Sequence, residues 1–178
     1  DPKFGPQGIG PNAFTMATGA PGQAVAMAEW AFETQKWKTA YILMDTTIAF
    51  DATWCGAFKA RWAELAGAEG LLGEDTFGGE DPQIASQITR LKALPKQPDV
   101  IALCSFPPGG VSAVRQLRAS GVTTPLMGSE SWDGDYWLEG VPDLSDMYFV
   151  TYASVFGNEP RPALVDFFIY VIDVAAGD

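Results

Sequence analysis

Residues 99–132 constrain this chain most, because they spell a strand, a helix and a second strand in direct succession. Val100-Ile101-Ala102-Leu103 is continuously apolar, and Ser105-Phe106-Pro107-Pro108-Gly109-Gly110 interrupts it. Val111, Val114 and Leu117 then recur at helical spacing until Gly121. Leu126-Met127-Gly128 forms the next apolar run, and Ser129-Glu130-Ser131-Trp132 follows at once. Two strands joined through a helix run parallel with a right-handed crossover, so the loops after Leu103 and Gly128 meet at one carboxyl edge. An open parallel sheet holds its ligand at that edge.

The same alternation runs along the rest of the chain. Ala24, Met27, Ala28, Ala31 and Phe32 stripe a helix over 22–35. Tyr41-Ile42-Leu43-Met44 then reads as a strand ending at Asp45, with 46–51 as its exit loop. Phe58, Trp62 and Leu65 give the next helix a buried face, ended by Gly67 and Gly70, and 71–77 is a weaker strand near the sheet edge. Asp81-Pro82 is a helix start, with acid cap and proline at the first position, before Ile84, Ile88 and Leu91 and a stop at Pro95. A short helical segment is expected around 136–138 and a strand over 147–152. Leu164, Phe168, Val171 and Ile172 then stripe a last helix.

Five strands separated by helices predict an α/β fold: a three-layer, doubly wound, mainly parallel sheet in the flavodoxin-like order 2-1-3-4-5. That order sets the strands at Tyr41 and Val100 side by side, so their exit loops frame a crevice with the Glu130 loop next to it. No repeat or low-complexity segment divides the chain.

Charge and composition narrow the partners. Lys and Arg total 11 against 22 acids, a net charge of −11, which leaves no basic stripe for nucleic acid or an anionic membrane. No apolar run approaches the roughly 20 residues of a spanning helix, and Asp1-Pro2-Lys3-Phe4-Gly5 lacks signal-peptide organisation. The abrupt opening and the ending at Ala175-Ala176-Gly177-Asp178 read as a piece of a longer protein. Cys55 and Cys104 lack zinc spacing; both fall near the expected carboxyl edge, which leaves open either a bridge or two small apolar side chains.

The absence of histidine removes Ser-His-Asp and Cys-His catalysis and HExxH metal sites. Gly8-Ile9-Gly10-Pro11-Asn12-Ala13 has dinucleotide-loop spacing, but no strand precedes it and Pro11 spoils the turn. No phosphate loop occurs. Asp133-Gly134-Asp135 with Glu139 reads as a solvated acidic turn, because it lacks the full calcium-loop spacing. Most hydrolase readings fail on these grounds, and neither a metal nor a cofactor is expected.

The candidate ligand-binding residues are Ser105 and Phe106 after the third strand, offering a hydroxyl and an apolar wall, and Glu130 with its neighbour Trp132 after the fourth. Phe50 and Asp51 after the first strand join them, with Trp54 either a second wall or core. Gly109 and Gly110 open either a ligand approach to helix amides or an ordinary strand-to-helix turn.

Four segments carry a resemblance in order and spacing: Gln87-Ile88-Thr89-Arg90-Leu91-Lys92, Pro98-Asp99-Val100-Ile101-Ala102, the stretch from Val114 to Val122, and Pro125-Leu126-Met127-Gly128-Ser129-Glu130. With them the chain resembles type I periplasmic binding proteins of the leucine/isoleucine/valine class, the substrate-binding components of ABC importers, from Phe14 onward. The resemblance implies two lobes closing on a ligand, of which this chain is the second; the first is missing, with 1–21 as a lead-in and 22–178 as a single lobe. It implies Glu130 as the acid that takes the ligand's ammonium, and Phe50 and Phe106 at or near the aromatic wall positions. Tyrosine is frequent at those positions in the family, followed by glycine after the first strand, whereas here Phe50 precedes Asp51 and Phe106 precedes two prolines.

The implied function is extracytoplasmic binding of a branched-chain or other apolar amino acid, with delivery to a membrane permease. A ligand-sensing domain of a receptor or regulator with the same fold is the alternative, and a flavodoxin-like enzyme or nucleotide binder the second.

Overall fold

The computed structural model describes residues 8–12, 18–79, 82–142, 144–154 and 159–167. Its strands are β1 (Ala40–Asp45), β2 (Leu71–Phe77), β3 (Val100–Cys104), β4 (Leu126–Gly128) and β5 (Met147–Phe149). They form one sheet in the order β2-β1-β3-β4-β5, and every adjacent pair is parallel. This is the predicted doubly wound order.

Side chains alternate across the sheet with period two, and each face is covered by helices. Tyr41, Leu43, Ile101, Leu103 and Leu126 point to a cluster with Ile88 and Leu91 of α3 (Ala85–Lys92) and Val114 and Leu117 of α4 (Gly109–Ala119). Ile42, Val100, Ala102, Cys104 and Met127 point the other way. They meet Ala24 and Ala28 of α1 (Ala20–Glu29) and Trp54, Phe58 and Trp62 of α2 (Ala49–Ala66). Phe58 and Trp62 are 0% exposed, and burial of each contributes about 2–3 kcal/mol. The two layers are also covalently tied, because Cys55 of α2 and Cys104 of β3 form a disulfide with Cα atoms 5.8 Å apart. The bridge is thus one of the two readings left open by the sequence.

Five segments differ from the sequence reading. Residues 46–51 are not all loop: α2 begins at Ala49, after an extended Ile48, so Phe50 and Asp51 lie in its first turn. An acid there suits the positive end of the helix dipole. The α3 helix starts at Ala85 and not at Pro82, because Gln116 takes the local backbone groups for itself: its amide donates to the Pro82 carbonyl (2.7 Å) and accepts from the Ile84 N–H (3.1 Å). Its expected cap, Asp81, lies outside the described residues.

The segment over 22–35 divides, with α1 passing into a π-turn at Trp30–Thr34 where Trp30 packs against Trp37 and Tyr148. β5 stops at Phe149 because β4 offers only Leu126–Gly128 to pair with it. Near 136–138 the helical segment is a single 3-10 turn at Leu138–Gly140. Of the last helix, 162–167 are helical and Phe168, Val171 and Ile172 lie outside the described residues.

Candidate functional site

Parallel strands deliver the exits of β1, β3, β4 and β5 to one edge, and the first turns of α2 and α4 face it. The floor is built by buried polar groups. Asp45, at the end of β1 and 3% exposed, accepts from the Thr47 N–H (2.9 Å) and hydroxyl (2.6 Å) through Oδ1, and from the Ser105 hydroxyl (3.3 Å) through Oδ2. Ser105 is 1% exposed, so its hydroxyl serves to join β3 to β1. Asp45 went unremarked as a site residue because a strand-terminal acid gives no sign in the sequence of the serine 60 positions away that it meets.

Trp132 is the wedge beneath this edge. It is 0% exposed, its indole N–H donates to the Ser105 carbonyl (2.7 Å), and its ring stands edge-on to Trp137 at 5.0 Å. A side chain at Gly110 would start 2.5 Å from this ring, and one at Gly128 2.6 Å from it. Gly109 likewise lies against the Gly79 carbonyl, where a Cβ would sit 2.5 Å away. The glycines after β3 therefore admit the protein's own atoms, as in an ordinary close-packed strand-to-helix turn. Trp54 is core as well: 1% exposed and stacked on Phe58 at 5.6 Å.

The remaining candidates gather around this floor. Phe50 is half-buried against the α1/α2 layer, while Phe106 is half-buried and belongs to neither apolar cluster. Glu130 opens the 3-10 turn Glu130–Trp132, whose Ser129 hydroxyl accepts from the Ser131 N–H (3.4 Å). Its backbone N–H donates to the Gln23 side chain (3.4 Å), and its Oε2 is buried with no hydrogen-bond partner.

Gln23 and Tyr152 complete the group, and the sequence reading missed both. Gln23, 1% exposed on α1, donates to the Thr18 carbonyl (2.8 Å) and to the Tyr152 hydroxyl (3.0 Å). The Tyr152 phenol lies against Glu130; burial, that negative charge and a hydrogen bond to it push its pKa up to about 12. The only legible signal was a glutamine in the first turn of an otherwise apolar helix stripe.

Asp51 is the most perturbed acid of the edge. It is 1% exposed, its Oδ2 has no partner, and burial, followed by the Asp45 and Glu130 charges, pushes it from an ordinary 3.8 up to about 7. The folded chain therefore binds more protons than the unfolded chain between these values, so Asp51 subtracts stability as pH rises through this window and subtracts most above it. Asp51→Asn removes that loss. Urea unfolding should find the variant and the parent similar near pH 4 and the variant increasingly the more stable towards pH 8; a constant difference across the range would show that Asp51 does not titrate this way.

Among the described residues no group of three His, Cys, Asp or Glu side chains is arranged to hold a metal, and no helix is long and apolar enough to cross a membrane. Buried carboxylates, hydroxyls and aromatic rings thus gather at the carboxyl edge of the doubly wound sheet, where open parallel sheets hold their ligands.

Residues 3–168 match the family model described as periplasmic binding protein, and the chain belongs to that family, whose place is extracytoplasmic. Comparison with curated proteins finds no match. Among solved structures, a leucine binding protein from Thermotoga maritima MSB8 is 21% identical with a TM-score of 0.75, covering 89% of this chain and 44% of its own. A putative branched-chain amino acid ABC transporter from Rhodospirillum rubrum is 19% identical with a TM-score of 0.77, covering 96% and 47%. A type 1 periplasmic binding protein from Bordetella pertussis Tohama I is 26% identical with a TM-score of 0.72, covering 88% and 40%. The chain thus spans less than half the length of each, one lobe of a two-lobed fold.

Proposed function

We propose that this chain is the second lobe of a solute-binding protein that closes with its other lobe on a small amino-acid-like ligand and delivers it to an ABC permease in the membrane. Residues 22–178 would form the lobe and 1–21 the lead-in. The observation that carries the reading is the buried, unpartnered Oε2 of Glu130 at the exit of β4. A buried carboxylate oxygen without a donor is costly, and a ligand ammonium satisfies it. The likeness of its fold to that of a leucine binding protein supports the amino-acid class.

Phe106 and Phe50 serve as apolar walls against the ligand's aliphatic part, and Ser105, Asp45 and Trp132 act beneath them as supports. Recognition is by lobe closure, with no covalent step.

The test is calorimetric titration of the two-lobed protein with α-amino acids, L-norleucine and L-lysine among them. Glu130→Gln should weaken the binding of each amino acid that binds by about tenfold or more, the scale of a lost buried charge contact. Unchanged affinity would remove Glu130 from the site.

A further inference from the structure

Asp45, Asp51 and Glu130 bring three carboxyl groups to one edge, and they are not equivalent. Asp45 is satisfied at both oxygens by Thr47 and Ser105. Asp51 and Glu130 each keep one buried oxygen without a donor. The charged groups that act on Asp51 are the other two acids, from β1 and from the turn after β4, and neither is a cation. The Tyr152 phenol, beyond β5, faces Glu130. Four of the chain's cations are engaged in ion pairs elsewhere: Lys59 with Glu74, Arg61 with Glu29 and Glu64, Arg90 with Asp75, Arg161 with Glu159. One ammonium on Glu130 leaves the second orphaned oxygen unanswered, and the three acids are not arranged to share a metal.

We propose that Asp51 forms a second cation subsite beside Glu130, so that the crevice takes a ligand with two cationic nitrogens joined by an aliphatic stem, a diamino acid being the fitting class. This rests on the reading of the edge as an amino-acid crevice and narrows it. The stem runs along Phe50 and Phe106, whose rings supply apolar contact to methylenes and a negative face to a passing ammonium. Without ligand, proton uptake relieves Asp51; with ligand, the second ammonium displaces that proton, so binding releases protons near neutral pH and tightens as pH rises towards 8.

L-Lysine and L-norleucine differ by one amino group on the same stem, which makes them the diagnostic pair, with 1,4-diaminobutane as a diamine without a carboxylate. The two-lobed protein should bind L-lysine about tenfold more tightly than L-norleucine. Asp51→Asn should bring that ratio close to one, and Glu130→Gln should weaken both. Titrations at pH 7 in buffers of different ionisation enthalpy should show proton release with L-lysine in the parent protein and its loss in Asp51→Asn.

Equal affinity for the two amino acids would overturn the second subsite. So would an Asp51→Asn variant that weakens both alike, since Asp51 and Glu130 would then share one ammonium. In either case Glu130-dependent binding of L-norleucine leaves the amino-acid reading standing. Failure of all three compounds to bind would overturn both readings.

Discussion

Trp132→Ala should destabilise the chain by about 3–5 kcal/mol, the usual cost of truncating a fully buried tryptophan. The site has little means of collapsing, because the ring is seated between Gly110, Gly128 and Trp137, and two of those are glycines without side chains to swing into the void. The Ser105 carbonyl would also lose its indole donor. Trp132→Phe separates the two contributions: it keeps most of the ring and loses the N–H, and should cost about 1–2 kcal/mol. Urea unfolding of the three forms measures both. A loss below about 1 kcal/mol for the alanine variant would show that the floor repacks. Since Trp132 lies at the end of the turn that Glu130 opens, the same truncation loosens the carboxylate meant for the ligand.

Reduction of the Cys55–Cys104 bridge should be the second large effect. The bridge closes a sequence separation of 49 residues, for which loss of unfolded-state entropy corresponds to about 4 kcal/mol. Thiol titration of the native chain should find no free thiol, and the urea midpoint should fall on addition of reductant. Two free thiols in the untreated protein would remove the bridge. An extracytoplasmic setting maintains such a bond, whereas a reducing one does not.

The sheet was legible in the sequence because apolar runs at Tyr41, Val100 and Leu126, punctuated by Asp45, Ser105 and Ser129, carry both strand identity and the place where each strand exits. The order of strands followed from the helices between them. Boundaries were legible only where the deciding group is local. Gly67, at φ 74°, ends α2 as expected, while the start of α3 depends on Gln116, 32 residues away from Ile84.

The site divides in the same way. Glu130, Phe106 and Ser105 sit at strand exits and could be found there. Trp132 was nominated by position, whereas its burial depends on two glycines in other elements. Gln23 reaches Glu130 and Tyr152 across 107 and 129 residues, a relation that spacing along a chain does not express. For the cysteines, the pattern allowed two outcomes, and only the three-dimensional approach of α2 to β3 decides between them.

The Gln23 side chain has one oxygen turned to the Glu130 backbone and one nitrogen shared between Thr18 and Tyr152. That division of labour makes position 23 intolerant of its nearest isostere. Glutamate has the same shape but no N–H to give, and it would set a fourth negative charge among Asp45, Asp51 and Glu130. Electroneutrality at one helical position thus limits how much anionic character the edge accumulates, and it leaves attraction for a cation to the two carboxylates that each keep one buried oxygen without a donor.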